Sequence, residues 1–139
     1  MSDFVLDASV ALAWVLDDPV AKYALDVPDE MLKGKRGAVP AFWHLEVANG
    51  LAMAERRGDL DTADIGVALD QIAATAQSRI DTDSKLIPVS EAFRDARGFG
   101  LTAYDAAYLS LALREALPLA TLDRALRSAA RQAGVRLVS

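Results

Sequence analysis

Phe4-Val5-Leu6-Asp7-Ala8-Ser9-Val10 is the stretch on which the fold turns. Phe4 to Leu6 is a short unbroken apolar run, the pattern of a strand covered on both faces in a parallel sheet. Asp7 stands at its carboxyl end, and in open α/β sheets ligands bind outside the carboxyl ends of strands. The disposition recurs near the other end of the chain, where the apolar run Leu117 to Leu122 leads into Asp123. Two more acids stand in unusually apolar surroundings, Glu46 in Phe42-Trp43-His44-Leu45-Glu46-Val47-Ala48 and Asp105 in Leu101-Thr102-Ala103-Tyr104-Asp105-Ala106-Ala107-Tyr108.

Outward from the first strand, Ser9 is a good N-cap for a helix over Val10 to Leu16, which Asp17-Asp18-Pro19 interrupts. A second helix is expected from Val20 to Leu32, then a short strand Ala38 to Ala41. Phe42 to Arg57 reads as a helix ended by Gly58. The next, within Asp59 to Gln77, has Asp61 or Thr62 as cap. A strand lies at Ile80 to Asp83 or at Leu86 to Val89, and Ser90 caps a helix through Arg97, stopped by Gly98 and Gly100. Thr102 caps the clearest helix, with Tyr104, Ala107, Tyr108, Leu111 and Ala112 on one face and an end before Pro118. The strand Leu117 to Leu122, a helix from Asp123 to Ala133 closed by Gly134, and a last strand Val135 to Val138 complete the chain. Strands alternating with helices predict an α/β fold with a parallel sheet.

The chain's 139 residues suit one domain over 1–139. A hydrophobic fraction of 53% and mean hydropathy of +0.16 are high for so small a domain and point to a buried subunit interface. No cysteine is present, which excludes disulfides and thiolate metal sites. The start lacks the basic region of a secretory signal, and Ala8 to Leu16 is far short of the roughly 18 apolar residues needed to cross a bilayer, so a cytoplasmic protein without membrane contact is expected. A net charge of −5 and a pI near 4.8 argue against coating nucleic acid by bulk electrostatics. They leave room for a nuclease whose acids hold cations. The basic groups Lys33, Lys35 and Arg36, then Arg56 and Arg57, then Arg124, Arg127 and Arg131 read as solvated faces.

Each acid taken alone has an ordinary explanation. Asp7 and Asp123 could cap helices, and Asp105 could complete a capping box with Thr102. Glu46 is harder to dismiss, because no cation stands one turn from it at positions 42, 43, 49 or 50. His44, the single histidine, reads as packed or exposed. Brought together, four acids form an all-oxygen site of the kind that suits Mg²⁺ or Mn²⁺, whereas one histidine and no cysteine make a poor zinc site. Such ions activate water and stabilise the leaving oxygen in phosphodiester cleavage.

Asp7-Ala8-Ser9, Glu46 with Asn49, Thr102 to Tyr108 and Thr121-Leu122-Asp123 resemble, in order and from Val5 to Val138, the motifs of the PIN-domain nucleases, specifically the VapC-type toxins of toxin–antitoxin pairs. The resemblance implies an α/β/α sandwich with a central parallel sheet and Mg²⁺- or Mn²⁺-dependent endoribonuclease activity that leaves a 3′-hydroxyl and a 5′-phosphate. It carries the acidic residues over to Asp7, Glu46, Asp105 and Asp123. Asp7 and Asp105 are then ligands, directly or through water, and Glu46 and Asp123 complete the cluster or position water. Ser9 and Thr121 match small hydroxyl positions and Asn49 a supporting one. Homodimers and inhibition by a VapB-type antitoxin are implied in the same way. Two other readings stay open at this point: a phosphatase with Asp7 as nucleophile, against which Ser9 stands where a second Asp is wanted, and a non-catalytic domain whose acids bind a basic partner.

Overall fold

The computed structural model describes residues 1–16 and 34–138. Four short strands, β1 (Phe4–Leu6), β2 (Gly37–Pro40), β3 (Ile80–Asp83) and β4 (Leu119–Ala120), form a parallel sheet in the order β3-β2-β1-β4. Val5 pairs with Ala38 on one side and Leu119 on the other, so the two acid-tipped apolar runs lie side by side and end at the same edge. Six helices flank the sheet among the described residues: α1 (Ala8–Leu16), α2 (Trp43–Arg56), α3 (Thr62–Arg79), α4 (Val89–Phe99), α5 (Ala103–Glu115) and α6 (Arg124–Gln132). This is the α/β/α arrangement with a central parallel sheet that was expected.

α1 packs against α2 and α3, while α5 lies on β1, β2 and β4 and carries α4 and α6 on its flanks. Val5, Leu6, Val39, Trp43, Tyr108 and Leu109 are at most 1% exposed and form the centre of the apolar core. Small residues set the spacing. A Cβ on Gly50 would fall 2.4 Å from the Leu12 side chain, so α2 can approach α1 this closely only because it carries glycine there. No helix among the described residues is long and apolar enough to cross a membrane.

Several boundaries differ from the sequence reading, each for a local reason. α1 starts at Ala8, so Ser9 lies inside its first turn and does not cap it; its hydroxyl turns instead to Asp7. The helix expected over Val20 to Leu32 lies outside the described residues. Ala41 falls outside β2, which starts at Gly37. Asp61, rather than Thr62, caps α3 through a reciprocal capping box with Asp64, an arrangement worth about 1 kcal/mol. Of the two alternatives for the third strand, Ile80–Asp83 is the one that forms, because all four of its residues pair with β2.

α4 begins at Val89 after Pro88, so Ser90 is not its cap, and it runs through Gly98 to end at Gly100, whose φ of +69° closes it. The Leu117–Leu122 strand shrinks to Leu119–Ala120: the Leu117 N–H still bonds to the Ala112 carbonyl, and Thr121 to Asp123 leave the sheet to serve Asp7 and α6. The final strand is reduced to one bridge between Leu119 and Leu137. Finally, Tyr104 does not share the buried face of α5, which consists of Ala106, Tyr108, Leu109, Leu111 and Ala112.

Candidate active site

The parallel strands end together, and the chain leaves each of β1, β2 and β4 directly into a helix. Three helix N-termini, of α1, α2 and α6, therefore gather at one edge of the sheet, and the Phe42–Tyr104 ring contact and the coupling of Asp105 to the other acids bring the N-terminus of α5 beside them. Each carries one of the acids: Asp7 immediately precedes α1, Glu46 lies in the first turn of α2, Asp105 in the first turn of α5, and Asp123 is the N-cap of α6. The positive ends of the helix dipoles favour carboxylates at all four places.

Asp7 is the most buried, at 5% exposure. Its Oδ2 accepts the Ser9 hydroxyl at 2.7 Å and the Thr121 hydroxyl at 2.6 Å. Those hydroxyls have no freedom to do otherwise. The Leu122 N–H donates to Ser9 Oγ and the Asp123 N–H to Thr121 Oγ1, each at 3.1 Å. Each oxygen is thus an acceptor from the backbone, and its single hydrogen is committed to the carboxylate. Burial still pushes the Asp7 carboxyl above its ordinary range, the hydroxyls pull it back, and Asp123 raises it further.

Glu46 is partly buried, and burial raises it; its Oε1 accepts the phenol of Tyr108 at 2.6 Å, while the charge on Asp7 adds to the rise. Tyr108 is fully buried, and burial together with Glu46 and Asp7 pushes its phenol far up, so it is a hydrogen-bond donor at any working pH. Asp105 is raised to about 6, first by burial and then by Asp123, Asp7 and Glu46 in turn. It feels all three of the other acids. Thr102 accepts its backbone N–H at 3.1 Å and caps α5, but the reciprocal bond of a capping box is not made. Asp123 Oδ2 accepts the Leu126 N–H at 2.9 Å, the cap expected for it, and the acid keeps its place in the cluster as well.

The geometry therefore brings Asp7, Glu46, Asp105 and Asp123 into one electrostatic neighbourhood and ties Ser9 and Thr121 to it. Asn49 stands apart: it is exposed on α2, and no hydrogen bond among the described residues joins it to the acids. His44 is remote in its bonding, with Nε2 2.9 Å from Thr82 Oγ1. Two participants escaped the sequence reading. Tyr108 was placed on an apolar face, although a buried tyrosine needs a partner for its hydroxyl and an acid without cations is the complementary lack. Arg127, grouped with solvated arginines, donates Nη1 to the Thr121 carbonyl at 2.8 Å and so braces the turn that serves Asp7. Nothing in its spacing marks it.

A parallel sheet with carboxylates gathered at its carboxyl edge defines an α/β protein with an acidic site. The chain matches the PIN domain family over residues 4–132, and it belongs to that family. PIN domains are generally nucleases, hydrolases of nucleic acid that generally use divalent metals. Among solved structures it is similar to PAE2754 from Pyrobaculum aerophilum, with 26% identity and a TM-score of 0.68 over 99% of this chain and 91% of that one. No curated protein matches it.

The donor chemistry fits such a metal. All the groups are hard oxygens, and Asp7, Glu46 and Asp123 each spend one oxygen on a protein donor and keep the other free of side-chain donors among the described residues. No three acids or histidines among those residues are already drawn to ligand spacing, so a cation would have to pull the carboxylates together against their repulsion. Burial and that repulsion together have a measurable consequence without metal. Asp105 sits near 6 when folded against an ordinary 3.8, so the folded state binds its proton more tightly. Its contribution favours folding below 3.8 and is lost as pH rises through 6. Asp81, held down at about 2 by Arg36, acts in the opposite sense and only below 3.8. Urea unfolding in EDTA from about pH 4 to pH 7 should show wild-type stability falling, with a shallower fall in Asp105→Asn, whose helix keeps its Thr102 cap. Equal slopes would mean that the Asp105 carboxyl is not raised in the folded state.

Proposed function

We propose that this chain is a metal-dependent endoribonuclease, a single PIN-type domain over residues 1–139 that acts on RNA in the cytoplasm as the toxin of a type II toxin–antitoxin pair. The observation that carries the reading is the convergence of four carboxylates, each at a helix N-terminus, on the carboxyl edge of the sheet of a PIN domain. Asp7 and Asp105 would hold Mg²⁺ or Mn²⁺, with Glu46 and Asp123 completing the set or orienting water. Bound there, the cation supplies Lewis acidity to the attacking water and the leaving oxygen. The chain's own work is positional. Ser9 and Thr121 aim the Asp7 carboxylate, Tyr108 aims Glu46, and Arg127 holds the turn from which Thr121 and Asp123 project. Asn49, exposed on the same helix as Glu46, would take a supporting part in binding RNA.

Cleavage of RNA should require Mg²⁺ or Mn²⁺ and stop in EDTA. Asp7→Asn and Asp105→Asn should abolish it, and Tyr108→Phe should lower activity or Mn²⁺ affinity about 10- to 100-fold, the usual cost of losing a group that orients a ligand. Wild type should gain thermal stability from Mn²⁺ and the Asn variants less. Robust cleavage in excess EDTA would end the metal-dependent reading.

An open carboxylate site attracts arginine through charge-assisted, bidentate bonds, so a VapB-type antitoxin is expected to inhibit by inserting a basic segment among the four acids. Changing that segment's Arg and Lys residues to Ala should relieve inhibition; undiminished inhibition would refute the mode of binding.

A homodimer is proposed from the high apolar fraction and from Leu45, Val67 and Leu69, all at least half exposed on α2 and α3. Sedimentation at tens of micromolar, a range chosen to exceed weak dissociation constants, should give the dimer mass, and a monomer there would count against it.

A further inference from the structure

Tyr104 is where its spacing does not put it. The 3.6-residue pattern aligns it with Tyr108 and Leu111 on the buried stripe of α5, yet 60% of it is exposed. The ring is nevertheless held. It meets the Phe42 ring edge-on, with centroids 5.3 Å apart and planes at 74°, and Phe42 meets Tyr108 in the same way at 5.4 Å and 80°. Tyr108 is the residue whose phenol grips Glu46, and Tyr104 is the backbone neighbour of Asp105. A chain of three aromatic rings therefore runs from the buried support of one acid to the surface beside another, and its last ring is open to solvent. An exposed Leu45, at 73%, precedes Glu46 in the same manner.

A single exposed apolar side chain needs no explanation. One that is braced by a second ring, itself seated on a third, and whose backbone adjoins an acid of the cluster has a chemical use. Edge-on contact with Phe42 occupies part of the Tyr104 ring and leaves surface for another flat π-system. An RNA whose phosphate faces a cation held by the acids carries a base on the neighbouring sugar, and aromatic side chains bind such bases by stacking whatever their identity. Resting on the ribonuclease reading above, we propose that Tyr104, seated on Phe42, is a stacking platform for an unpaired nucleobase of the RNA beside the phosphate that a cation at Asp7, Glu46, Asp105 and Asp123 would hold. The platform demands a base that is free to leave its stack. It therefore selects loops and single strands over duplex RNA, whose bases stay paired within the helix.

The test is fluorescence anisotropy with a labelled single-stranded RNA decamer of mixed sequence, in Ca²⁺ with the RNA shown intact by gel. Beside wild type it uses Tyr104→Phe, Tyr104→Leu, Tyr104→Ala and Phe93→Ala, the last an equally exposed aromatic on α4 that sits under Arg97. Tyr104→Ala and Tyr104→Leu should weaken binding about 5- to 150-fold, the fold-change equivalent of one base stack, with Tyr104→Phe and Phe93→Ala within about twofold of wild type. A duplex of the same sequence should bind wild type more weakly and be indifferent to Tyr104→Ala. Full affinity in Tyr104→Leu would make the contact merely apolar, and an equal loss in Phe93→Ala would make it non-local; either overturns the platform. Unchanged affinity in Tyr104→Ala together with a loss of dimer in sedimentation would assign the ring to a subunit interface instead and overturn it likewise. A wild type that cleaves RNA while Tyr104→Ala binds as tightly sinks this inference and spares the nuclease reading; one that binds RNA through Tyr104 without ever cleaving it does the reverse.

Discussion

A carboxylate has to be kept at the end of a strand that is itself buried, and the rest of the site is arranged around that demand. Asp7 follows three core residues and is 5% exposed. An ionised carboxylate there is costly unless it is hydrogen-bonded. Two hydroxyls meet the need, and both come from parts of the chain that the sheet order brings alongside β1: Ser9 from the first turn of α1 and Thr121 from the end of β4. The shortness of β4 fits this. The Leu122 and Asp123 N–H groups lie beyond the strand and are free to bond the two hydroxyls and so commit them to Asp7.

Opposing fields set the state of the other acids. Helix N-termini favour charge, burial and mutual repulsion oppose it, and Asp105, with fewest donors of its own, shows the balance most plainly by rising to about 6. Glu46, raised by burial, is moderated by the Tyr108 phenol. A site of this kind holds its charge in tension until a cation or a basic group arrives, which is what makes it receptive to both.

The packing that permits the convergence is built from small residues. Ala8, Ala11, Ala106, Ala112, Ala129 and Ala130 are all buried, and Gly50 admits Leu12 where no Cβ would fit. Close helices on a narrow sheet put four N-termini within one another's field. Apolar groups left outside so closely packed a core, such as Leu45, Tyr104 and Phe93, stand out against it.

The sequence by itself determined the alternation of strands and helices, the parallel sheet and the four acids, because apolar runs, caps such as Thr102 and breakers such as Gly58 and Gly100 act within a few residues. It also marked Ser9 and Thr121 by likeness of motif. Only the tertiary structure decided what these groups do. Whether Ser9 caps its own helix or serves Asp7 depends on Leu122, which is 113 residues away. Whether Ile80–Asp83 or Leu86 to Val89 becomes the edge strand depends on which can pair with β2. The partners of Glu46 and of the Thr121 carbonyl, Tyr108 and Arg127, lie on other elements or beyond a turn, where periodicity carries no information. Tyr104 shows the limit most clearly. Its spacing says core, but the stripe of α5 that is buried passes through Ala106 and Tyr108, and the ring one turn earlier is left at the surface against Phe42.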